Sequence, residues 1–240
     1  MRPRLRHLWL GTVPYRDAWE LQHRLALARA ADEIDDCLLL LEHPPVYTMG
    51  RGGDPAHLGA GPAALQALGA ECIEVDRGGS VTFHGPGQMV GYPILRLAQA
   101  FPISGSPGRG DAVAYVRALE AALIATARHH GVPAGRRPGM SGAWVGRNKL
   151  AAIGVKLARG VTQHGVALNV TTDLGWFGHV VPCGIDDGGV TSMEREGAAG
   201  LTPMALGEDF AEALAEVIGA RLEVAGPVLT QMVKGSTTAA

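Results

Sequence analysis

The chain has 240 residues, of which 21 are basic and 23 acidic, giving a formal net charge of -2. Hydrophobic residues make up 47% and charged residues 18%, which excludes a disordered or fibrous protein because this much apolar surface must be buried. The small net charge disfavours a general nucleic-acid binder, and the longest apolar run, CLLLL, is far shorter than the about 20 residues that cross a bilayer.

The N-terminal half predicts several strands and two helices. Residues 5–10 predict a first strand, and Pro14 opens an amphipathic helix to about residue 31, since proline is tolerated in the first turn. The continuous apolar run at 37–42 is typical of a central strand that is buried on both faces. Further strands are predicted at 46–49, 71–76, 81–83 and 89–95, with a short helix at 62–68.

The C-terminal half predicts a helix capped by Asp111 that ends near residue 130, a hairpin around residues 146–148 and a strand at 162–170. A loop rich in glycine and aspartate then runs to about residue 189, and a last amphipathic helix covers 203–221. Strands in runs with helices between them predict an α+β fold. We expect a single domain over residues 1–230, with a central mixed β-sheet flanked by helices, and a flexible tail over 231–240.

The densest motif is RGGSVTFHGPGQ, which starts at Arg77. Its paired glycines leave backbone N–H groups accessible beside a fixed cation. Thr82 and His84 share one face of the predicted strand, towards a cleft, and Val81 and Phe83 share the other. A glycine-rich hairpin with a hydrogen-bonded histidine is the alternative interpretation. The spacing matches neither a P-loop nor a dinucleotide fingerprint.

Three cysteines lie too far apart in sequence to predict a disulfide framework or a zinc knuckle, and they suit a reducing, cytoplasmic compartment. Cys37 falls within the apolar run and predicts an inert core thiol, whereas Cys72 is ambiguous. Cys183 lies between Pro182 and Gly184 in a predicted loop, where a thiol is accessible. A nearby cation would make such a thiol nucleophilic.

Two lysines border the strand that follows the predicted hairpin. Lys149 precedes the LAAIG run and Lys156 follows it, seven residues on. In an uninterrupted strand this odd separation predicts opposite faces, roughly 23 Å apart. On the next strand, Gly165, Ala167 and Asn169 share one face, which suits either close approach of a ligand or tight packing against a helix.

Four stretches in this order, RGGSVTFHGPGQMVGYPIL, KLAAIGVK, TQHGVALNV and VPCG, resemble the octanoyltransferases of lipoate biosynthesis, the lipoyl(octanoyl) transferase family. The similarity covers about residues 77–193, with a looser match upstream in LLLLEHPPVYTMGR. It implies a fold similar to the catalytic domain of biotin and lipoate protein ligases. It also implies transfer of an octanoyl group from octanoyl-acyl carrier protein to a lysine of lipoyl domains, in 2-oxoacid dehydrogenase complexes and the glycine cleavage H protein.

The resemblance also implies roles for individual residues. Cys183 would carry the acyl group as a thioester, and Lys149 would be its catalytic partner, with its ammonium within about 3–4 Å of the sulfur or one water away. Lys156 would be an ordinary surface cation. No metal, ATP or other cofactor is implied. The implied substrate-binding residues are Arg77, Gly78, Gly79, Ser80, Val81, Thr82, Phe83, His84, Ala152, Ile153, Gly154, Gly165, Val166 and Ala167.

Two alternatives remain open. An ATP-dependent lipoate or biotin ligase of similar fold would not need a nucleophilic cysteine. A non-catalytic protein that binds an acyl group or a lipoyl domain would need neither Cys183 nor Lys149. For a transferase, the acidic carrier protein needs a local basic patch, for which Arg136, Arg137 and Arg147 are candidates.

Overall fold

The apolar run that predicts a central strand forms β2 (Asp36–Glu42), which is buried on both faces of the sheet. Leu38 and Leu40 pack in one core cluster, and Leu39 and Leu41 in another on the opposite side. The computed structural model describes residues 2–180 and 188–234 of the protein. Burial on both faces explains why this strand lacks the alternating pattern of a sheet with one solvated face.

The large sheet is mixed, as predicted. Its strands follow the order β11, β1, β2, β6, β10, β9, β8, β7; β1 is parallel to β2 and β11, and the other neighbours are antiparallel. The bounds, apart from β2, are β1 (Arg4–Thr12), β6 (Gln88–Ile94), β7 (Gly135–Arg137), β8 (Met140–Val145), β9 (Asn148–Ala158), β10 (Val161–Asn169) and β11 (Arg221–Val224).

A small three-stranded sheet and six helices among the described residues complete the fold. The small sheet has the order β4 (Glu71–Glu74), β3 (Val46–Met49), β5 (Val81–His84). The helices are α1 (Tyr15–Ala30), α2 (Pro62–Ala67), α3 (Leu97–Ala100), α4 (Ala112–His129), α5 (Pro203–Val217) and α6 (Pro227–Lys234). α4 and α5 cover one face of the large sheet, while α1 and α6 pack on the other. The predicted α+β architecture with a sheet flanked by helices is confirmed.

Local signals located α4 accurately. The Asp111 side chain accepts hydrogen bonds from the backbone N–H groups of Val113 and Ala114, which is the predicted N-cap. The short edge strands β7 and β11 were not predicted, because three or four residues carry too little periodicity. α6 extends past the predicted domain end at residue 230, and Met232 and Val233 pack on the core, so residues 231–234 are not a tail.

Candidate active site

A cavity of about 340 Å³ lies between β9 and β10 of the large sheet and β5 of the small sheet. Its volume falls at the lower end of the range for small-molecule sites. Lys149 and twelve of the fourteen predicted substrate-binding residues line it. These twelve are Arg77, Gly79, Ser80, Val81, Thr82, His84, Ala152, Ile153, Gly154, Gly165, Val166 and Ala167.

Gly78 and Phe83 do not line the cavity. The Gly78 N–H donates to the Val155 carbonyl at 3.0 Å, which joins the RGG turn to β9. Phe83 is fully buried and stacks on Trp176, with ring centroids 5.2 Å apart. These two residues support the cavity wall from behind. Thr82 and His84 face the cavity as predicted, but Val81 lines it too.

Along β10 the cavity is lined from His164 to Asn169, about 16 Å of strand. Two glycines make room along this path. A Cβ at Gly165 would lie 2.2 Å from the Gly91 carbonyl oxygen, and one at Gly154 would lie 2.9 Å from Arg77 Cδ. Larger side chains at either position would therefore displace the neighbouring strand or the arginine that packs over β9.

Lys149 faces the cavity because β9 shifts its register at this point. Ala143 pairs with Ala151 but Trp144 pairs with Lys149, so two steps along β9 match one step along β8. Such irregularities re-aim side chains. The Lys149 Nζ lies 4.8 Å from the centroid of the Trp144 ring, a cation–π distance. The expectation that the two lysines point to opposite faces of β9 was therefore wrong. The extra residue at the register shift reverses the face on which the preceding side chains lie, so Lys149 and Lys156 share one face.

The backbone around Lys149 is held by the segment that follows residues 181–187. The Lys149 N–H donates to the Gly189 carbonyl at 2.8 Å, and the Thr191 N–H donates to the Lys149 carbonyl at 3.0 Å. Asn169 Nδ2 donates to the Thr191 carbonyl, and Asn169 Oδ1 accepts from Gln88 Nε2, both at 2.9 Å. A buried amide pair therefore ties this segment to the floor of the cavity.

Val180 and Val190, on either side of residues 181–187, both line the cavity. Before them, a 3-10 helix (Leu174–His179) is anchored to the small sheet, where the Tyr47 hydroxyl donates to the Trp176 carbonyl at 2.7 Å. Cys183, the predicted nucleophile, lies outside the described residues, and so does its predicted contact with Lys149.

At the other end of the cavity, Arg77 is a buried cation that holds the RGG turn. Its Nη2 donates to the backbone carbonyl of Thr48 at 2.7 Å and to the Thr48 hydroxyl at 2.8 Å. Burial lowers the pKa of this guanidinium, but arginine remains charged near neutral pH. The predicted fixed cation is present, and its described hydrogen bonds go to neutral oxygens.

Tyr15 and His164, which we call the end wall, close the same end. The Tyr15 hydroxyl lies 3.3 Å from His164 Nδ1, and His164 Nε2 lies 3.0 Å from Asp76 Oδ1. Asp76 also forms an ion pair with Lys156, whose side chain is 15% exposed. Lys156 is therefore part of a half-buried cluster behind the end wall, which corrects its prediction as an ordinary surface cation.

Burial sets the ionisation of the end wall. Burial lowers the pKa of His164 to about 4 despite the carboxylate beside it, and it raises the pKa of Tyr15 to about 12. For Asp76, burial opposes ionisation, but hydrogen bonds from Lys156 and His164 outweigh it and lower the pKa to about 2. Near neutral pH the histidine is neutral, the phenol is protonated and the carboxylate is ionised.

The two described cysteines do not have the environment of a nucleophile. Cys37 is fully buried in the core, as predicted, and burial raises the pKa of its thiol far above the usual value. Cys72 is half-buried, and burial raises its thiol pKa as well. Thiolate formation is therefore disfavoured at both positions.

The candidate docking arginines differ in what they contact. Arg136 Nε donates to the buried Glu120 carboxylate at 2.9 Å, and Arg117 pairs with the same carboxylate. The Arg137 guanidinium lies 5.0 Å from the Trp144 ring centroid, and its Nη1 donates to the Arg147 carbonyl. Arg136 therefore has a structural role, and Arg137 and Arg147 are the better candidates for a docking surface.

Sequence reasoning did not assign several residues that line the cavity, among them Tyr15, Gln88, Tyr92, Ser141 and Phe177. For Gln88 and Tyr92 a signal existed, because both are polar residues within the otherwise apolar strand β6. The sequence gives no signal for Tyr15, because this residue at the start of α1 reaches the cavity only when the helix packs on β10. Within the described residues, no cluster of three metal-ligating side chains occurs and no helix is long and apolar enough to span a membrane.

The comparisons with known proteins agree with this architecture. The profile of the lipoyl protein ligase A/B catalytic domain matches residues 14–217. The chain belongs to this family. It is 46% identical to an octanoyltransferase of Rubrobacter xylanophilus, over 87% of this chain and 91% of the relative. It is 51% identical to an octanoyltransferase of Acidobacterium capsulatum, over 79% of each chain.

Solved structures show the shared fold at low sequence identity. The bipartite lipoate protein ligase of Thermoplasma acidophilum superposes with a TM-score of 0.68 at 15% identity, covering 100% of this chain and 95% of that one. The biotin protein ligase of Aquifex aeolicus superposes with a TM-score of 0.52 at 13% identity, covering 89% and 70%. The predicted similarity to the biotin and lipoate ligase catalytic domain is thereby confirmed.

Proposed function

We propose that this protein transfers an octanoyl group from the thioester of octanoyl-acyl carrier protein to a lysine of lipoyl domains, through a thioester on Cys183. One observation carries the proposal: Lys149 lines a cavity of ligand size, and Val180 and Val190, which flank the stretch containing Cys183, line the same cavity. The relatives are named octanoyltransferases, which supports octanoyl as the group that is transferred.

In the first half-reaction, Lys149 accepts the Cys183 proton and the thiolate attacks the acyl carbon of the donor. The bond between the cysteine sulfur and the acyl carbon forms, the bond to the carrier sulfur breaks, and the carrier thiolate takes up the proton. One thioester replaces another, so the step requires little free energy and no cofactor.

In the second half-reaction, the acceptor amine attacks the acyl-enzyme. The nitrogen–carbon bond forms, the bond to Cys183 breaks, and Lys149 receives the proton that the amine loses. Formation of an amide from a thioester is strongly downhill, so neither ATP nor a metal is needed. We expect the acceptor lysine to enter the cavity at the end where Lys149 and Val190 lie.

The walls of the cavity suit an alkyl chain. Ala152, Gly154, Gly165 and Ala167 present small side chains along paired positions of β9 and β10. An extended octanoyl group is about 9 Å long, which matches the about 10 Å of β10 between Ala167 and His164. The acyl chain therefore lies along the strands, with its carbonyl near Lys149 and its methyl end towards the end wall.

The proposal is tested by intact mass after incubation with octanoyl-acyl carrier protein, without ATP or added metal, followed by peptide mapping. We expect one octanoyl adduct on Cys183 that disappears when a lipoyl domain is added. The Cys183→Ala variant should form no adduct, and Cys72→Ala provides the matched control that should react normally. Transfer that requires ATP would indicate a ligase, and binding without an adduct or transfer would indicate a non-catalytic binder.

A further inference from the structure

The carboxylate of Asp76, on the outer side of the end wall, determines which atoms of the end wall donate hydrogen bonds and which accept them. Asp76 is an ionised acceptor, so the neutral His164 ring must donate from Nε2, across 3.0 Å. Its Nδ1 then carries a lone pair and accepts from the Tyr15 hydroxyl. Both ring nitrogens are therefore hydrogen-bonded, and the Tyr15 hydroxyl also hydrogen-bonds the neighbouring Tyr92.

Tyr92, which lies beside the end wall, is satisfied in the same way. His43 Nδ1 donates to the Val13 carbonyl at 2.6 Å, so its Nε2 accepts from the Tyr92 hydroxyl at 2.7 Å. Burial lowers the pKa of His43 to about 4, which keeps this ring neutral. This end of the cavity is therefore built from polar side chains whose protons point away from the acyl path.

The backbone of His164 shows that this arrangement is held in place. Its φ is 55°, a left-handed conformation that non-glycine residues seldom adopt. The side chain of the fully buried Gln22 accepts from the His164 N–H at 2.7 Å and fixes that conformation. Strained residues of this kind concentrate at functional sites.

The end wall is also thin. Directly behind it lie Asp76 and Lys156, whose side chains are 31% and 15% exposed, so the ion pair separates the cavity from solvent. His164 is the last residue of β10 that lines the cavity in the direction away from Lys149. A longer alkyl chain could advance only by separating Tyr15 from His164 and leaving buried polar atoms without partners.

We infer that Tyr15 and His164 determine the length of the acyl chain that the cavity accepts, as a wall against which the methyl end stops. This inference rests on the proposed function, because it takes the acyl carbonyl to lie at the Lys149 end. It assigns a specificity role to two residues that take no part in the proton transfers at Lys149.

The test compares kcat/KM for octanoyl- and decanoyl-acyl carrier protein in wild type, Tyr15→Phe and His164→Asn. Asparagine tolerates the left-handed backbone and is smaller than histidine. Burial of two further methylenes is worth up to about 15-fold, so we expect the decanoyl-to-octanoyl ratio to rise about 5- to 15-fold in both variants. The ratio is internal to each variant, so partial loss of folded protein does not affect it.

Tyr47→Phe is the matched control. Tyr47 is 1% exposed and its hydroxyl donates to a backbone carbonyl, but it does not line the cavity. Its ratio should stay within about twofold of wild type, since no cavity-lining atom is removed. Unchanged ratios in both end-wall variants, or an equal rise in Tyr47→Phe, would overturn the inference.

If the proposed function is wrong, the wild-type protein will not transfer octanoyl groups, and this result is distinct from the chain-length ratio. In that case the shift in unfolding temperature caused by free octanoate and free decanoate still reports which chain the cavity prefers. A decanoate preference that appears only in the two end-wall variants supports the wall, and identical preferences in all four proteins contradict it.

Discussion

Two lysines lie on the same side of β9, Lys149 in the cavity lining and Lys156 behind the end wall, and they have different surroundings. Lys149 lies over the Trp144 ring and its backbone is bonded to residues 189 and 191. Lys156 pairs with Asp76, which also binds His164. The backbone of one lysine is bonded to the segment that follows residues 181–187, and the other lysine neutralises a carboxylate behind the end wall.

This difference shows that neither the residue type nor the strand face on which a lysine lies is enough to assign it a chemical role. Lys156 forms an ion pair with Asp76 and does not line the cavity, so it is not placed to accept a proton from a bound group. Lys149 instead lies over an aromatic ring and lines the cavity, where the proposed mechanism needs a proton acceptor. The predictions below test whether the two ends are as distinct as their contacts indicate.

The largest effect is expected from Lys149→Arg. Arginine keeps the positive charge but cannot accept a proton near neutral pH, so kcat should fall about 10²- to 10⁴-fold. Steady-state kinetics with octanoyl-acyl carrier protein measure it. Lys156→Arg, the matched change at the other end, should stay within about twofold because arginine can also pair with Asp76. Equal losses of kcat in both variants would show that the two lysines do not differ in their contribution to catalysis.

The buried histidines His43, His84 and His164 should dominate the pH dependence of stability, because burial lowers the pKa of each. The pKa of His43 and of His164 is about 4 in the folded protein, below the usual value near 6.5. The unfolded chain therefore binds more protons as the pH falls from about 6.5 to 4, and stability is lost by up to about 1.4 kcal/mol per pH unit for each histidine.

Asp76 acts in a lower window. Its folded pKa of about 2 lies below the unfolded value, so its stabilisation is complete above about pH 4 and is lost between about pH 4 and 2. Urea unfolding at a series of pH values separates the two windows. His164→Asn should flatten the slope between pH 4 and 6.5 relative to wild type; an unchanged slope would refute a neutral buried His164.

A smaller effect is expected at Trp144. Trp144→Leu removes the ring beneath Lys149 and should lower kcat/KM about 3- to 30-fold, the range of a cation–π contact, with activity measured well below the unfolding temperature. Trp144→Phe keeps an aromatic face, and no described residue bonds the indole N–H, so it should retain most activity. Equal losses in the two variants would show that the ring acts only by filling space.

The smallest effect is expected from Lys156→Met. The ion pair with Asp76 is half-buried, so its loss should cost at most about 1 kcal/mol of unfolding free energy and leave kcat within about twofold. Denaturation and kinetics on one preparation measure both quantities. A loss of activity comparable to that of Lys149→Arg would place Lys156 in the catalytic step.

The sequence by itself determined the elements with strong local signals and the order of the motifs. The run at 37–42 became the doubly buried β2, and the Asp111 cap began α4, because apolar burial and capping depend on neighbours a few residues away. Twelve of the predicted substrate-binding residues line one cavity, since the motifs already carried the small and polar side chains that a ligand site needs.

Tertiary structure alone decided which of those residues meet and which way they point. The register shift between β8 and β9 turned Lys149 into the cavity, and strand alternation in the sequence predicts the opposite face from Lys156. The end wall joins Tyr15 to His164, 149 positions apart, so no local pattern could contain it. Hydrogen-bond partners across such separations exist only after the sheets and α1 have packed, which is why the environment of each lysine was not readable from the chain.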